Sequence, residues 1–91
     1  MIQQGTKFRL RPERKAMFIN LHPDNAENYQ LMGDGILTVK DLRPEKSVID
    51  SVYQEDGSVV VGIAHGCDAL LTFYEFASFF EEVVATEPES V

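Results

Sequence analysis

No lysine or arginine occurs after Lys46, cysteine occurs only once, and no apolar stretch approaches the length of a membrane span. The single Cys67 excludes an internal disulfide and fits a reducing compartment. The first residues, Met1-Ile2-Gln3-Gln4-Gly5, lack the basic segment and apolar core of a signal peptide. A spanning helix would need about 18 consecutive apolar residues. A cytoplasmic protein without a membrane segment is the expectation. Internal repeats, low-complexity stretches and linkers are also missing, and 91 residues lie within the range of one domain. The chain is therefore expected to form one domain over 1–91, with frayed ends at 1–5 and 86–91.

Catalytic and cofactor signatures are equally scarce. Gly33-Asp34-Gly35 is too short for a phosphate loop, lacks GxxxxGK[ST], and has no helix pattern after it. His65-Gly66-Cys67-Asp68 gathers groups that can ligate a metal or act as a nucleophile. His22 and Asp24 are the only further histidine and carboxylate that suggest themselves, and no CxxC or HxxxH spacing joins the set. The acidic surroundings of Cys67 oppose a reactive thiolate, which favours electropositive neighbours. Neither a catalytic residue, a metal site nor a cofactor is expected.

What is present is a segregation of charge. Residues 1–46 carry eight basic and six acidic side chains, whereas 47–91 carry nine acidic ones alone, and the net charge is −7. Such polarity can orient and select partners, while the net charge disfavours adhesion to nucleic acid or anionic lipid. Lys7, Arg9, Arg11, Arg14 and Lys15 form a basic cluster within nine positions. It offers a phosphate-tracking patch, but no rhythm of exposed aromatics accompanies it to stack bases.

Hydrophobic patterning points to an α+β protein. Residues 6–11 alternate, with Phe8 and Leu10 opposite Lys7, Arg9 and Arg11, and Pro12 ends this strand. Residues 13–21 are ambiguous and lean towards strand. Asp24 and Glu27 suit one capped helical turn, and Gly33-Asp34-Gly35 reads as a hairpin turn between 29–32 and 36–40. A second hairpin, 48–54 with 58–64, surrounds Asp56-Gly57, the dipeptide of a two-residue type I′ turn. That turn would set Tyr53 against Val60 and Val52 against Val61. Both faces of the ribbon are apolar, which predicts a central place in the sheet, and small residues at Ser51 and Gly62 allow a close approach. Residues 73–85 have helical spacing, with Thr72-x-x-Glu75 as a capping box and Phe73, Phe76 and Phe80 on the inner arc.

These elements predict a small bent antiparallel sheet of about five strands with one C-terminal helix, most specifically an SH3-like barrel. A flatter sheet with the helix across one face is the alternative. The expected function is a non-enzymatic adaptor or inhibitor that docks on a larger macromolecule, such as a nucleic-acid-binding enzyme, through a charge-polarised surface. The nine acidic residues could mimic a nucleic acid, but ordinary solubilising charge is the simpler reading of them. Tyr74, Glu75, Phe79 and Glu82 are the candidate contacts, since Tyr74 lies opposite the buried arc and Phe79 on its margin. A nucleic-acid-binding module on the basic strand is the second possibility, and a metal or thiol protein built on His65 and Cys67 the third.

Overall fold

The computed structural model describes residues 2–62 and 69–84. It is an α+β structure in which one face of an antiparallel sheet is covered by helices. The elements in chain order are β1 (Lys7–Leu10), α1 (Lys15–Leu21), α2 (Pro23–Met32), β2 (Leu37–Arg43), β3 (Val48–Tyr53), β4 (Val59–Val61), β5 (Leu71–Thr72), α3 (Phe73–Phe79) and β6 (Phe80–Glu82). The strands run β4-β3-β2-β1-β6, and β5 pairs with the first half of β3. The path ends at β4 and β6, so the sheet is open, and three helices accompany it instead of one. The expected barrel is not formed. Among the described residues no helix is long and apolar enough to cross a membrane.

The covered face is built from alternate strand residues. Phe8, Leu10, Leu37, Val39, Val52 and Val60 point inward to meet Phe18 of α1, Met32 of α2, and Phe76 and Phe79 of α3. Five phenylalanines form a connected chain of rings: Phe76–Phe8 at 4.9 Å, Phe8–Phe80 at 5.5 Å, Phe80–Phe18 at 5.2 Å and Phe18–Phe79 at 5.6 Å. Tilted and edge-on geometries of this kind add to simple burial. They tie both ends of the chain to α1.

Several local expectations change. Residues 15–21 and 23–32 are helical where strand was expected over 13–21 and 29–32, and the helical turn expected over 24–27 lies within α2. The inner side of α2 carries Asn25, Asn28 and Met32, spaced three and four apart. Two of those three are polar, so no apolar period marks the helix. Each asparagine is useful inside: Asn25 Nδ2 donates at 3.0 Å to the Phe18 carbonyl in the last turn of α1, where helix carbonyls need partners from outside the helix. The α2 cap is His22, whose Nδ1 accepts from the Asp24 amide at 3.1 Å, with Pro23 in the first turn. Gly33, at φ 72°, ends α2 and is no hairpin turn.

The ribbon has a different register over its described part, and positions 63 and 64 of the expected strand lie outside the described residues. Tyr53 opposes Val59, Val52 opposes Val60, and Ser51 opposes Val61. Among the described residues only Ser47 and glycines have positive φ, so Asp56 does not, whereas a type I′ turn needs it there. Instead Gly57 alone turns left-handed, at φ 89°, and the Gln54 amide donates to the Ser58 carbonyl at 2.8 Å around a three-residue loop. Asp56 Oδ1 accepts from the Ser58 amide at 2.9 Å, which tightens the loop. The shift by one buries Val60 and exposes Val59 and Val61. β4 therefore lies at the edge and is not a central strand covered on both sides. Gly62 is indeed a point of close approach, because a Cβ there would collide with the Ala69 carbonyl.

Two further irregularities escape simple alternation. The β2–β3 pairing shifts register around Asp41, which lets Ile49 and Val52, three residues apart, both reach the core. The predicted 73–85 helix stops at Phe79, and residues 80–82 become β6 paired with β1, Phe80 against Leu10 and Glu81 against Arg9. Both ends of the capping box are made: Glu75 N to Thr72 Oγ1 at 3.0 Å and Thr72 N to Glu75 Oε1 at 2.9 Å.

Candidate functional site

α3 carries the chain beneath the sheet, from β5 on the β3 side to β6 at the far edge. This path separates the four candidate contact residues. Phe79 is 6% exposed and stacks on Phe18, so it belongs to the core and cannot anchor a partner from the surface. Glu82 lies on the opposite edge of the sheet from Glu75, opposite Phe8 in the ladder. A charge on an edge strand discourages further strand pairing there. Tyr74 and Glu75 remain together at the start of α3. Tyr74 is 73% exposed, the only phenylalanine or tyrosine of α3 left in solvent, while Phe73 is half-buried and Phe76 buried.

Glu75 also borders a recess of about 140 Å³ between the starts of α2 and α3. Its other polar members are His22, Asp24, Asn25, Asn28 and Thr72, and Ala69, Leu70 and Leu71 supply the apolar wall. The Asp24 side chain is mostly covered, whereas that of His22 is largely exposed. Asn28 is buried; its Nδ2 donates to the Leu70 carbonyl at 3.2 Å, while its Oδ1, equally buried, accepts no hydrogen bond among the described residues. Reversing the amide would set two oxygens against each other, so the Leu70 carbonyl fixes which atom is left over. No apolar period in α2 announced this recess; the only sequence signal was His22-Pro23-Asp24 at a helix start.

The five basic candidates do not form one patch. Lys7, Arg9 and Arg11 alternate with the inward Phe8 and Leu10, and all three are engaged with neighbouring strands. Lys7 Nζ donates to Thr38 Oγ1 at 3.1 Å, and Arg9 Nε pairs with Glu81 Oε2 at 2.7 Å. Arg11 Nε donates to the Phe80 carbonyl at 3.1 Å. Lys15 belongs to the helical layer, over the Tyr29 ring at 4.6 Å and 3.5 Å from Asp34. Tyr29 first, and the Asp34 carboxylate with it, hold the Lys15 ammonium above its ordinary range. Arg14 caps α1 and stays exposed. The basic strand and the acidic half thus meet in the β1–β6 pair. The cross-strand row Lys7–Thr38–Tyr53 does bring one aromatic side chain, 39% exposed, onto the basic face.

His65, Cys67 and Asp68 lie outside the described residues. Among the described residues no three His, Cys, Asp or Glu side chains converge closely enough to hold a metal ion. Comparison of the chain with protein-family models, with curated proteins and with solved structures finds no match.

Proposed function

We propose that the chain is a small non-enzymatic interaction protein, an adaptor or inhibitor of the cytoplasm. It docks on a larger protein through Tyr74, Glu75 and the adjoining recess. Tyr74 carries this reading. Three aromatic neighbours in α3 are withdrawn into or against the core, and the fourth projects into solvent beside a carboxylate. Exposed tyrosines are favoured interface anchors because a rigid ring covers much area at little entropic cost, and flanking charges tune the encounter rate. Purification of partners from native cells with wild-type and Tyr74→Ala protein tests it. The partner bound by wild type should be lost from the variant, whose stability should stay within about 0.5 kcal/mol because the ring is exposed. Retention by Tyr74→Ala with loss on Arg9→Glu would move the working surface to the sheet.

That second surface supports a nucleic-acid-binding alternative through the Lys7–Thr38–Tyr53 row, where a cation and a stacking ring share one face. Against it stand the Arg9–Glu81 pairing and the net charge of −7. Titration with labelled single- and double-stranded DNA and RNA separates the two readings. Micromolar, steeply salt-dependent binding at about 150 mM salt, weakened by Arg9→Glu, would favour the sheet face.

A further inference from the structure

We infer that the recess between α2 and α3 receives the end of a basic side chain, an arginine or lysine of the docked protein. The inference rests on the docking reading for the source of that side chain, but the chemistry of the recess stands on its own. Its hydrogen-bonding capacity is almost entirely of one kind. Most backbone donors at the two helix starts are already used: Asp24 N by His22 Nδ1, Asn25 N by the His22 carbonyl, Phe73 N by the Ser47 carbonyl and Glu75 N by Thr72 Oγ1. Little of the usual anion site of a helix N-terminus is therefore left open.

Acceptors are left over. The Asp24 carboxylate, 3.7 Å from His22 Nδ1, and the second oxygen of Glu75 carry negative charge at the recess, and Asn28, which lines it, has Oδ1 buried with no donor among the described residues. A buried acceptor with no partner costs about 1–3 kcal/mol, so a donor delivered to it is favoured. With Nδ1 accepting from the Asp24 amide, a neutral His22 ring has its proton on Nε2; among the described residues it and the Thr72 hydroxyl are the free side-chain donors of the lining. Two carboxylates and a carbonyl oxygen select a cation that also donates hydrogen bonds. The absence of a convergent His, Cys, Asp or Glu trio among the described residues speaks against a metal ion. The apolar wall of Ala69, Leu70 and Leu71 decides between a bare ammonium and a side chain. It matches the methylene stem that lysine and arginine bury behind their charged heads.

The probes are N-acetyl-arginine amide and N-acetyl-lysine amide, added to the ¹⁵N-labelled protein and followed by two-dimensional NMR. Tetramethylammonium chloride serves as a cation of equal charge with no donor. Saturable shifts are expected at the Asn28 side-chain amide and the backbone amides of Asp24, Leu71 and Glu75, with millimolar affinity. Tetramethylammonium should give none beyond the effect of ionic strength. Asp24→Asn, and Glu75→Gln, which keeps the oxygen that accepts from Thr72 N, should each weaken binding several-fold. Equal responses to the amides and to tetramethylammonium would reduce the recess to an unspecific acidic patch and overturn the inference. So would shifts confined to other surfaces, or no saturable shift at all. The wild-type comparison decides even where a variant fails to fold. Tyr74→Ala separates this inference from the docking reading. If that variant keeps its partner while the probes bind, the recess stands without Tyr74; if it loses the partner while the probes fail, docking stands without the recess.

Discussion

Placing aspartate at Val60 and at Val61 in turn tests the register of the β3–β4 ribbon, on which the open architecture depends. Val60 is 6% exposed and opposes the fully buried Val52; Val61 is 56% exposed and opposes Ser51. At position 60 the substitution removes the burial of a valine side chain, worth about 1.5–3 kcal/mol. It also brings a carboxyl group under the helical layer, where it must lose its charge or remain unpaired. Together these cost about 3–5 kcal/mol, the range seen for uncompensated buried charges. A chain of this size has roughly 5–15 kcal/mol of stability in all. Val60→Asp should therefore lower the melting temperature by more than about 12 °C, at about 4–8 °C per kcal/mol. At position 61 the carboxylate meets water, and the loss is limited to strand preference, below about 1 kcal/mol. Urea unfolding of both variants, with circular dichroism to confirm the fold, gives the comparison. Equal losses, or a larger loss for Val61→Asp, would refute the reasoning and restore the register of a two-residue turn.

Three other outcomes are expected. Phe79→Ala should cost about 3–5 kcal/mol in urea unfolding, because the ring is buried against Phe18; a loss below about 1 kcal/mol would return Phe79 to the surface. Gly57→Ala should cost about 1–2 kcal/mol for its backbone alone, since φ is 89° and open space surrounds a Cβ there; an unchanged urea midpoint would mean a different turn. Asp41 is held below the usual carboxylate range by hydrogen bonds from Lys40 and then Ser51. Its stabilisation is thus present above the unfolded value of about 3.9 and is lost as pH falls through the lower folded value. Asp41→Asn should flatten the acid side of a stability profile taken from pH 6 to pH 2, and superimposable profiles would remove the effect.

Elements with a local chemical cause were legible from residues alone. β1 follows from strict alternation ended by Pro12, and the start of α3 from the Thr72–Glu75 capping box. The α+β class also follows from patterning. α2 was hidden because its inner face uses Asn25 and Asn28, whose burial is favourable only once Phe18 and Leu70 present carbonyls to them. Sequence periodicity records apolar spacing and has no means of registering such partners.

The remaining decisions belong to tertiary structure. Residues 80–84 have an acceptable helical pattern, yet β1 offers an unpaired edge, and the ladder hydrogen bonds convert Phe80–Glu82 to a strand. That conversion buries Phe79 and Phe80 side by side and sends Glu82 away from Glu75. The loop at Asp56-Gly57 shows the same limit at shorter range: the dipeptide marks a turn, but the length of the loop decides which valines face the core. The recess depends on distance in sequence as well, since Asn28 and Leu70 meet across 42 positions. Chemistry carried by one residue and its neighbours is written in the chain. Which side chains share a surface, and which acceptor is left without a donor, is decided only when separate segments pack.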